Sequence, residues 1–313
     1  MPYTQTWSLG IQRELPGNIL FDANYLGTKG THLFFGGYGN LNYLGPSVEK
    51  ADPGQISALN SSVPNPFYGI ITDPNSPLSA PTVQQSALLV PYPQFSGTSI
   101  IEPPWANSIY QAAQFRFEKR FSHGLQFLVN YTISKSIDNA SVQGGNVTYT
   151  GGHTHLQDPN NLQLERGLSE FDIPQVLNLI YVYELPVGHG KRWGGNWNKW
   201  VNGLLGGWQT NGVWRFDNGQ PINMSLSGGT SLPTYGSQQP NLLAALKPSN
   251  NRSSWFTVNP DTGFGGYFAN PEVAVTPPPF TIGTDLRRSG RRRHRGERRQ
   301  GNHLGHADVA ILR

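Results

Sequence analysis

The sequence predicts an all-β chain: an antiparallel transmembrane β-barrel portion, an incomplete barrel, with short periplasmic turns and long extracellular loops. Three observations lead there. Apolar residues recur with a period of two and almost nowhere with the period of a helix. Short and long connections alternate strictly along the chain. Charged residues make up only 13 % of the 313, against about 25 % in an ordinary soluble domain, and Gln, Asn, Ser and Thr fill the polar faces instead.

The first run places Trp7, Leu9 and Ile11 on one face and Ser8, Gly10 and Gln12 on the other. Leu15-Pro16-Gly17-Asn18 is a tight turn by composition. The next run carries Ile19, Phe21, Ala23 and Tyr25 against Asp22 and Asn24, so residues 4–27 read as a hairpin of long strands. In a second hairpin, residues 109–135, Ala113, Phe115 and Phe117 alternate with Gln114, Arg116 and Glu118. Phe121-Ser122-His123-Gly124 turns the chain. Leu125, Phe127, Val129, Tyr131 and Ile133 then alternate with Gln126, Asn130, Thr132 and Ser134. Another strand runs through Leu177, Leu179, Tyr181, Tyr183 and Leu185, opposed by Asn178 and Glu184. Trp208 to Phe216 is more weakly patterned, and Ile222, Met224 and Leu226 mark a short strand after Asp217-Asn218-Gly219.

The links at 15–18 and 121–124 are short, whereas those at about 29–107 and 136–171 are long and polar. With strands running down and up, the short links share one end, where the middle-length link at 187–206 also falls. A loop of about 80 residues without structure of its own is rare in a compact soluble domain and routine in a transmembrane barrel. A soluble sandwich would carry Lys and Glu on its outer faces, whereas uncharged polar faces suit a hydrated lumen. Phe21, Phe117, Phe127, Val129, Leu179 and Tyr181 are therefore expected to face lipid, and Asp22, Asn24, Arg116, Glu118, Asn130 and Asn178 the lumen. Trp7, Tyr25, Tyr110, Tyr131, Tyr183, Trp208 and Trp214, near strand ends, suit interfacial girdles. An ordinary β core is the other use for such aromatics.

Composition closes other routes. Thirty-seven Gly and 25 Pro exclude a coiled coil or long helical bundle. The absence of Cys excludes a disulfide scaffold. No run of 18 apolar residues supports a helical span. MPYTQTWSLG has neither a basic nor an apolar region of the kind a signal peptide needs, and the chain is expected to start inside a larger protein. The formal charge of +4 is local. From Arg287 onward nine Arg face two acids, Glu297 and Asp308, while residues 1–286 hold 14 basic and 17 acidic groups.

Four segments together carry a family resemblance: YTQTWSLGIQRELPGNILFDANYLGTKGTHL, YQAAQFRFEKRFSHGLQFLVNYTISKSIDNA, DIPQVLNLIYVYELPVGHGKRW and GLLGGWQTNGVWRFDNGQPI. Over about residues 3 to 284 the chain resembles the C-terminal barrel region of TonB-dependent receptors, most closely the Oar-like outer-membrane proteins. The resemblance implies a barrel of 22 strands closed by a plug, in the outer membrane of a Gram-negative type cell. It also implies TonB-energised import of siderophores, vitamins or oligosaccharides, with the ligand of the Oar-like subgroup generally undefined. The chain departs from that pattern in having no plug, TonB box or signal peptide, and about seven strands cannot close such a barrel. It is expected to be a fragment, not autonomous, whose partners are outer-membrane lipid, the missing plug and the remaining barrel strands, with TonB reached only through the missing N-terminal part.

The sequence divides into a partial barrel at 1–284 and an Arg-rich tail at 285–313. The family commonly ends on an aromatic residue, and this tail contains none. Translation in a shifted frame, a solvated tail and a nucleic-acid-binding arm are the three readings of it. Clustered Arg neutralises phosphates, but no aromatic is interleaved for base stacking. The tail is expected to be disordered or loosely attached and to form no membrane strand, since Arg291, Arg292 and Arg293 would place charge on both faces.

Catalytic chemistry is not expected, nor is a cofactor. His153, His155 and Asp158 are ligand types in a Gly-rich loop without a second cluster to complete four ligands. His303, His306 and Asp308 are a weaker set in the tail. Ser47-Val48-Glu49-Lys50 matches a serine–lysine pattern without its companion motifs, and Gly36-Gly37-Tyr38-Gly39 lacks the strand-turn-helix setting of a phosphate loop. The Asn-X-Ser/Thr sites at Asn60, Asn139 and Asn146 carry no meaning in a bacterial chain. Two other functions stay beside the transport barrel: a surface β-protein that binds glycans through Trp and Tyr, and a soluble nucleic-acid binder using the tail.

Overall fold

The computed structural model describes residues 1–34, 38–40, 42, 44, 53–95, 98–101, 103–140, 161–163, 165–219, 221, 240–244, 247, 269, 274–275 and 306–312. Two long hairpins come from the alternating runs. Strand β1 (Tyr3–Leu15) turns into β2 (Ile19–Leu33). The connection that follows holds β3 (Tyr38–Asn40), α1 (Pro53–Asn60), β4 (Ser62–Pro64), a 3₁₀ turn (Pro77–Ser79), β5 (Thr82–Gln84), α2 (Gln85–Leu88) and β6 (Ser99–Ile101). The second hairpin is β7 (Ala106–Ser122) with β8 (Leu125–Asp138). Then come β9 (Gly167–Leu168), β10 (Gln175–Glu184), α3 (Lys199–Leu205), β11 (Gln209–Asp217), β12 (Asn241–Leu242), β13 (Ala274–Val275) and β14 (His306–Leu312).

One sheet of eight strands dominates, in the order β1-β2-β7-β8-β10-β11-β14, with β9 also paired to β8. Every pairing in it is antiparallel. The sheet is open, with β1 and β14 at its edges. The short links at 16–18 and 123–124 and the link at 185–208 lie at one end, and the long links at the other, as the alternation predicts. Turn chemistry sets the register. Leu15 pairs Ile19 across Pro16-Gly17-Asn18, where Gly17 and Asn18 both take positive φ, 86° and 59°. Ser122 pairs Leu125 across two residues, His123 and Gly124, at φ 52° and 76°. In the two-residue loop His123-Gly124, positive φ at both positions makes the hairpin turn whose twist matches that of its strands; the first link has three residues.

Gly124 is held more tightly than Gly17. A Cβ at Gly124 would meet the Glu184 carbonyl oxygen at 3.2 Å, whereas one at Gly17 would meet nothing within 4 Å. Gly17→Ala should cost about 1–2 kcal/mol for the left-handed backbone alone. Gly124→Ala should cost more, and denaturation midpoints in detergent measure the difference.

The strand expectations at 4–27, 109–135 and 177–185 match observed strands, and the weaker candidate at 208–216 is β11. The short strand proposed at Ile222–Leu226 lies outside the described residues. Three features differ from expectation. The connection at 34–105 has structure of its own: Leu44 and Leu59 are buried against Ile56 and Val90, and Asn65 Nδ2 donates to the carbonyls of Leu78 and Ala80, both at 2.7 Å. The link after β10 contains α3, which no helical period announced. The tail does enter the sheet, because His306–Leu312 pairs β11 from Arg215↔His306 to Gln209↔Leu312. Behind the Arg run, residues 306–312 (HADVAIL) are free of Arg and include Val309 and Ile311, residue types that favour strands. The Arg-rich stretch from Arg287 to Arg299 lies outside the described residues.

Candidate functional site

Residues opposite one another across an antiparallel ladder share a face, so the register sorts the sheet into rows. One row reads Arg13–Phe21–Phe117–Val129–Leu179–Trp214. Its neighbour toward the long loops is Ile11–Ala23–Phe115–Tyr131–Leu177–Phe216, and toward the turns Leu15–Ile19–Lys119–Phe127–Tyr181–Gly212. The opposite face carries Gln12–Asp22–Arg116–Asn130–Asn178–Arg215, with Gly10–Asn24–Gln114–Thr132–Val176–Asp217 beside it. All six residues expected to face lipid therefore lie on one face, in two adjacent rows. Asp22, Arg116, Asn130 and Asn178 fall in one row of the other face, with Asn24 and Glu118 in the rows beside it.

The face that carries Phe21 and Val129 is built for apolar contact. The Phe21 and Phe117 rings pack with centroids 4.8 Å apart, and Trp214 stacks near Phe216 at 6.3 Å. No second layer covers it among the described residues: of the buried apolar side chains, Leu44, Leu59, Leu78 and Val83 belong to the loop connection, and only the small Ala106 and Ala112 lie in the sheet, on β7. Leu9 and Ile11 on the edge strand are 73 % and 67 % exposed. Phe117 is exposed, while Phe21, Phe127, Val129, Leu179 and Tyr181 are half-buried, because each is flanked by side chains of its own row. On β1 Trp7, Leu9, Ile11 and Leu15 span about 27 Å along the strand, with Arg13 among them on the same face and Lys119 in the row of Leu15. Toward the long loops the face turns polar, at Gln111 and Lys135 in the row of Trp7 and at Gln5 and Lys29 beyond it.

The other face holds its charges in pairs two residues apart on one strand. Arg116 pairs with Glu118, Arg215 Nε donates to Asp217 Oδ2 at 2.8 Å, and Asn24 Nδ2 donates to Asp22 Oδ1. The Arg215–Asp217 pair, which extends the polar row to β11, was missed in the sequence because Trp208–Phe216 alternates weakly. Also missed was a row on this face in which Leu20, Leu128, Ile180 and Val213 stand beside Glu118, with Ile180 and Val213 exposed.

Toward the long loops this face bears a cavity of about 300 Å³ lined by residues that include Tyr110, Gln114, Ser134, Ser136, Phe171 and Asp172. An arch between β9 and β10 closes one side of it. Asp172 Oδ1 accepts the Ser136 N–H at 2.8 Å, Ser134 Oγ donates to the Ile173 carbonyl at 2.9 Å, and Ser169 N–H donates to the Ser136 carbonyl at 2.9 Å. Among the described residues no group of three or more His, Asp or Glu is placed to hold a metal ion. The ligand-type residues His153, His155 and Asp158, the Ser47–Lys50 motif and His303 lie outside the described residues.

Glycine marks where rings cross strands. Trp7 faces Gly27, and its indole fills the space a Cβ there would need. Tyr181 covers Gly212 in the same way, with Cε1 2.8 Å from that position. Gly27→Val should displace Trp7 and cost about 1–3 kcal/mol by overpacking, seen as a red shift of Trp emission together with a lower denaturation midpoint.

No curated protein and no solved structure matches the chain. A family profile does, that of an outer membrane beta barrel domain, over residues 1–305. An open antiparallel meander with one apolar face, one polar face and links short at one end and long at the other is what one arc of such a barrel looks like. The chain belongs to the outer membrane β-barrel domain family, and its place is the outer membrane.

Proposed function

We propose that this chain supplies a run of membrane-spanning strands to a TonB-dependent, Oar-like transport barrel that imports a ligand across the outer membrane. The Phe21–Val129–Leu179 face meets lipid, and the Asp22–Arg116–Asn130–Asn178 face lines the lumen. The observation that carries this reading is a sheet with one apolar and one polar face, the apolar one left uncovered among the described residues. An unpaired strand edge is not tolerated in hydrocarbon, so β1 pairs with further barrel strands. Leu20, Leu128, Ile180 and Val213, in a row that also carries Glu118, would stand against water in an empty lumen, and a plug seated there covers them. With such a plug the protein acts as a gated importer, without catalysis.

The test is uptake of a labelled ferric siderophore, a corrinoid vitamin and an oligosaccharide by cells that carry the complete gene product, with and without TonB. Uptake of one of them that disappears without TonB is the expected result. Uptake indifferent to TonB would contradict the energised reading and leave a passive barrel.

A further inference from the structure

The link between β10 and β11 is more than a turn. Residues 185–208 contain Trp193, Trp197, Trp200 and Trp208, three basic residues (Lys191, Arg192, Lys199) and no acid. Asn198 caps α3 by accepting the Val201 N–H at 2.9 Å. Asn202 Oδ1 accepts the His189 N–H at 2.6 Å, which ties the helix back to the start of the link. Gly188 and Trp193 are joined by an N–H to carbonyl bond of 2.8 Å, and Trp193 N–H donates to the Pro186 carbonyl at 3.0 Å. The segment is thus knitted together, yet it holds its apolar groups outward: Trp200 is 89 % exposed and Leu204 63 %. Trp200 and Leu204 stand four apart on one side of the helix.

The position of this foot relative to the sheet is fixed by Trp208. The Leu185 N–H donates to the Trp208 carbonyl at 2.9 Å, which continues the β10–β11 ladder by one step. In that ladder Leu179 and Trp214 share the apolar face, so Leu185 and Trp208 continue it. Trp208 Nε1 donates to the Leu204 carbonyl at 3.0 Å, which couples the helix to that same face. Lys191 is paired with Glu184 at the end of β10, Nζ to Oε2 3.0 Å, which leaves Arg192 and Lys199 as the segment's positive charge; beside exposed Trp and Leu continuous with an apolar sheet face, that charge matches the boundary between phospholipid headgroups and acyl chains.

We infer that residues 187–208 form an interfacial foot that lies in the periplasmic leaflet, with Trp200 and Leu204 in the upper acyl region and Arg192 and Lys199 on anionic headgroups. This rests on the reading that the Val129 face meets lipid, and deepens it by naming a leaflet and a lipid charge. The chain lacks Cys, so single labels are clean. The complete gene product, with any Cys outside this chain replaced, is reconstituted in phosphatidylcholine vesicles, with and without phosphatidylglycerol, carrying an environment-sensitive fluorophore at Leu204→Cys or at Val129→Cys. Shallow nitroxide lipids should quench position 204 and deep ones position 129. Phosphatidylglycerol should raise the ratio of lipid-quenched to iodide-quenched fluorophore at 204, and each of Arg192→Gln and Lys199→Gln should lower it roughly fivefold. Quenching at 129 with position 204 fully open to iodide would overturn the foot and leave the lipid face standing. Quenching at neither position would overturn both. A ratio at 204 indifferent to phosphatidylglycerol would overturn the headgroup charge.

Discussion

Val129→Arg should abolish most membrane integration of this chain, whereas Asn130→Arg, one residue on, should leave it nearly intact. Val129 stands between Phe117 and Leu179 in the interior of a row whose one Arg, Arg13, sits on the edge strand β1, and the lipid reading leaves no water beside Val129 for a second guanidinium. Near the midplane such a charge costs about 2–4 kcal/mol. Asn130 faces Arg116 and Asn178 across its two ladders, in a row that the lumen would hydrate. Carbonate-resistant recovery in the outer membrane measures the two variants side by side. Equal losses would mean that the faces are not lipid and water.

A single alanine inserted between Leu128 and Val129 should be worse still. Side chains alternate with a period of two, so an inserted residue moves all that follow to the other face. Val129, Tyr131 and Ile133 would pass to the polar side, and Asn130, Thr132, Ser134 and Ser136 would take their places. At about 1–3 kcal/mol for each unpaired polar side chain, the cost is on the order of several kcal/mol, enough to prevent integration. The same insertion after Asn75, in the exposed turn where Asp73 Oδ1 accepts the Asn75 N–H at 2.9 Å, should be neutral. Recovery at wild-type levels from the strand insertion would mean that a bulge absorbs it and that β8 does not depend on its register.

What could be read from the sequence is what local chemistry determines. The hairpins were legible because Gly17, Asn18, His123 and Gly124 tolerate positive φ between runs of clean alternation. Once those turns set the register, the shared faces of Phe21, Phe117, Val129 and Leu179 followed from parity alone. The rest depends on contacts that no local pattern records. Helix α3 is seven residues with Gly203 inside it, held by Asn198, Asn202 and Trp208 and not by an amphipathic repeat. The arch at 169–174 exists because the Asp172 carboxylate and the Ser136 N–H meet across 36 residues. Strand β14 stood behind an Arg run whose charge dominates any window drawn over it, although its own residues suit a strand. The polar face was only half legible, since Leu128 and Ile180 interrupt its alternation.

The most direct measurement is a single-cysteine scan along β8 from Leu125 to Ser134, in lipid vesicles, with a fluorophore at each position and quenchers in either lipid or water. Lipid quenching should peak at Phe127, Val129, Tyr131 and Ile133 and fall at Gln126, Leu128, Asn130 and Thr132, with aqueous iodide showing the reverse. A profile without alternation, or one in which both faces answer to iodide alone, would show that this sheet does not divide lipid from water.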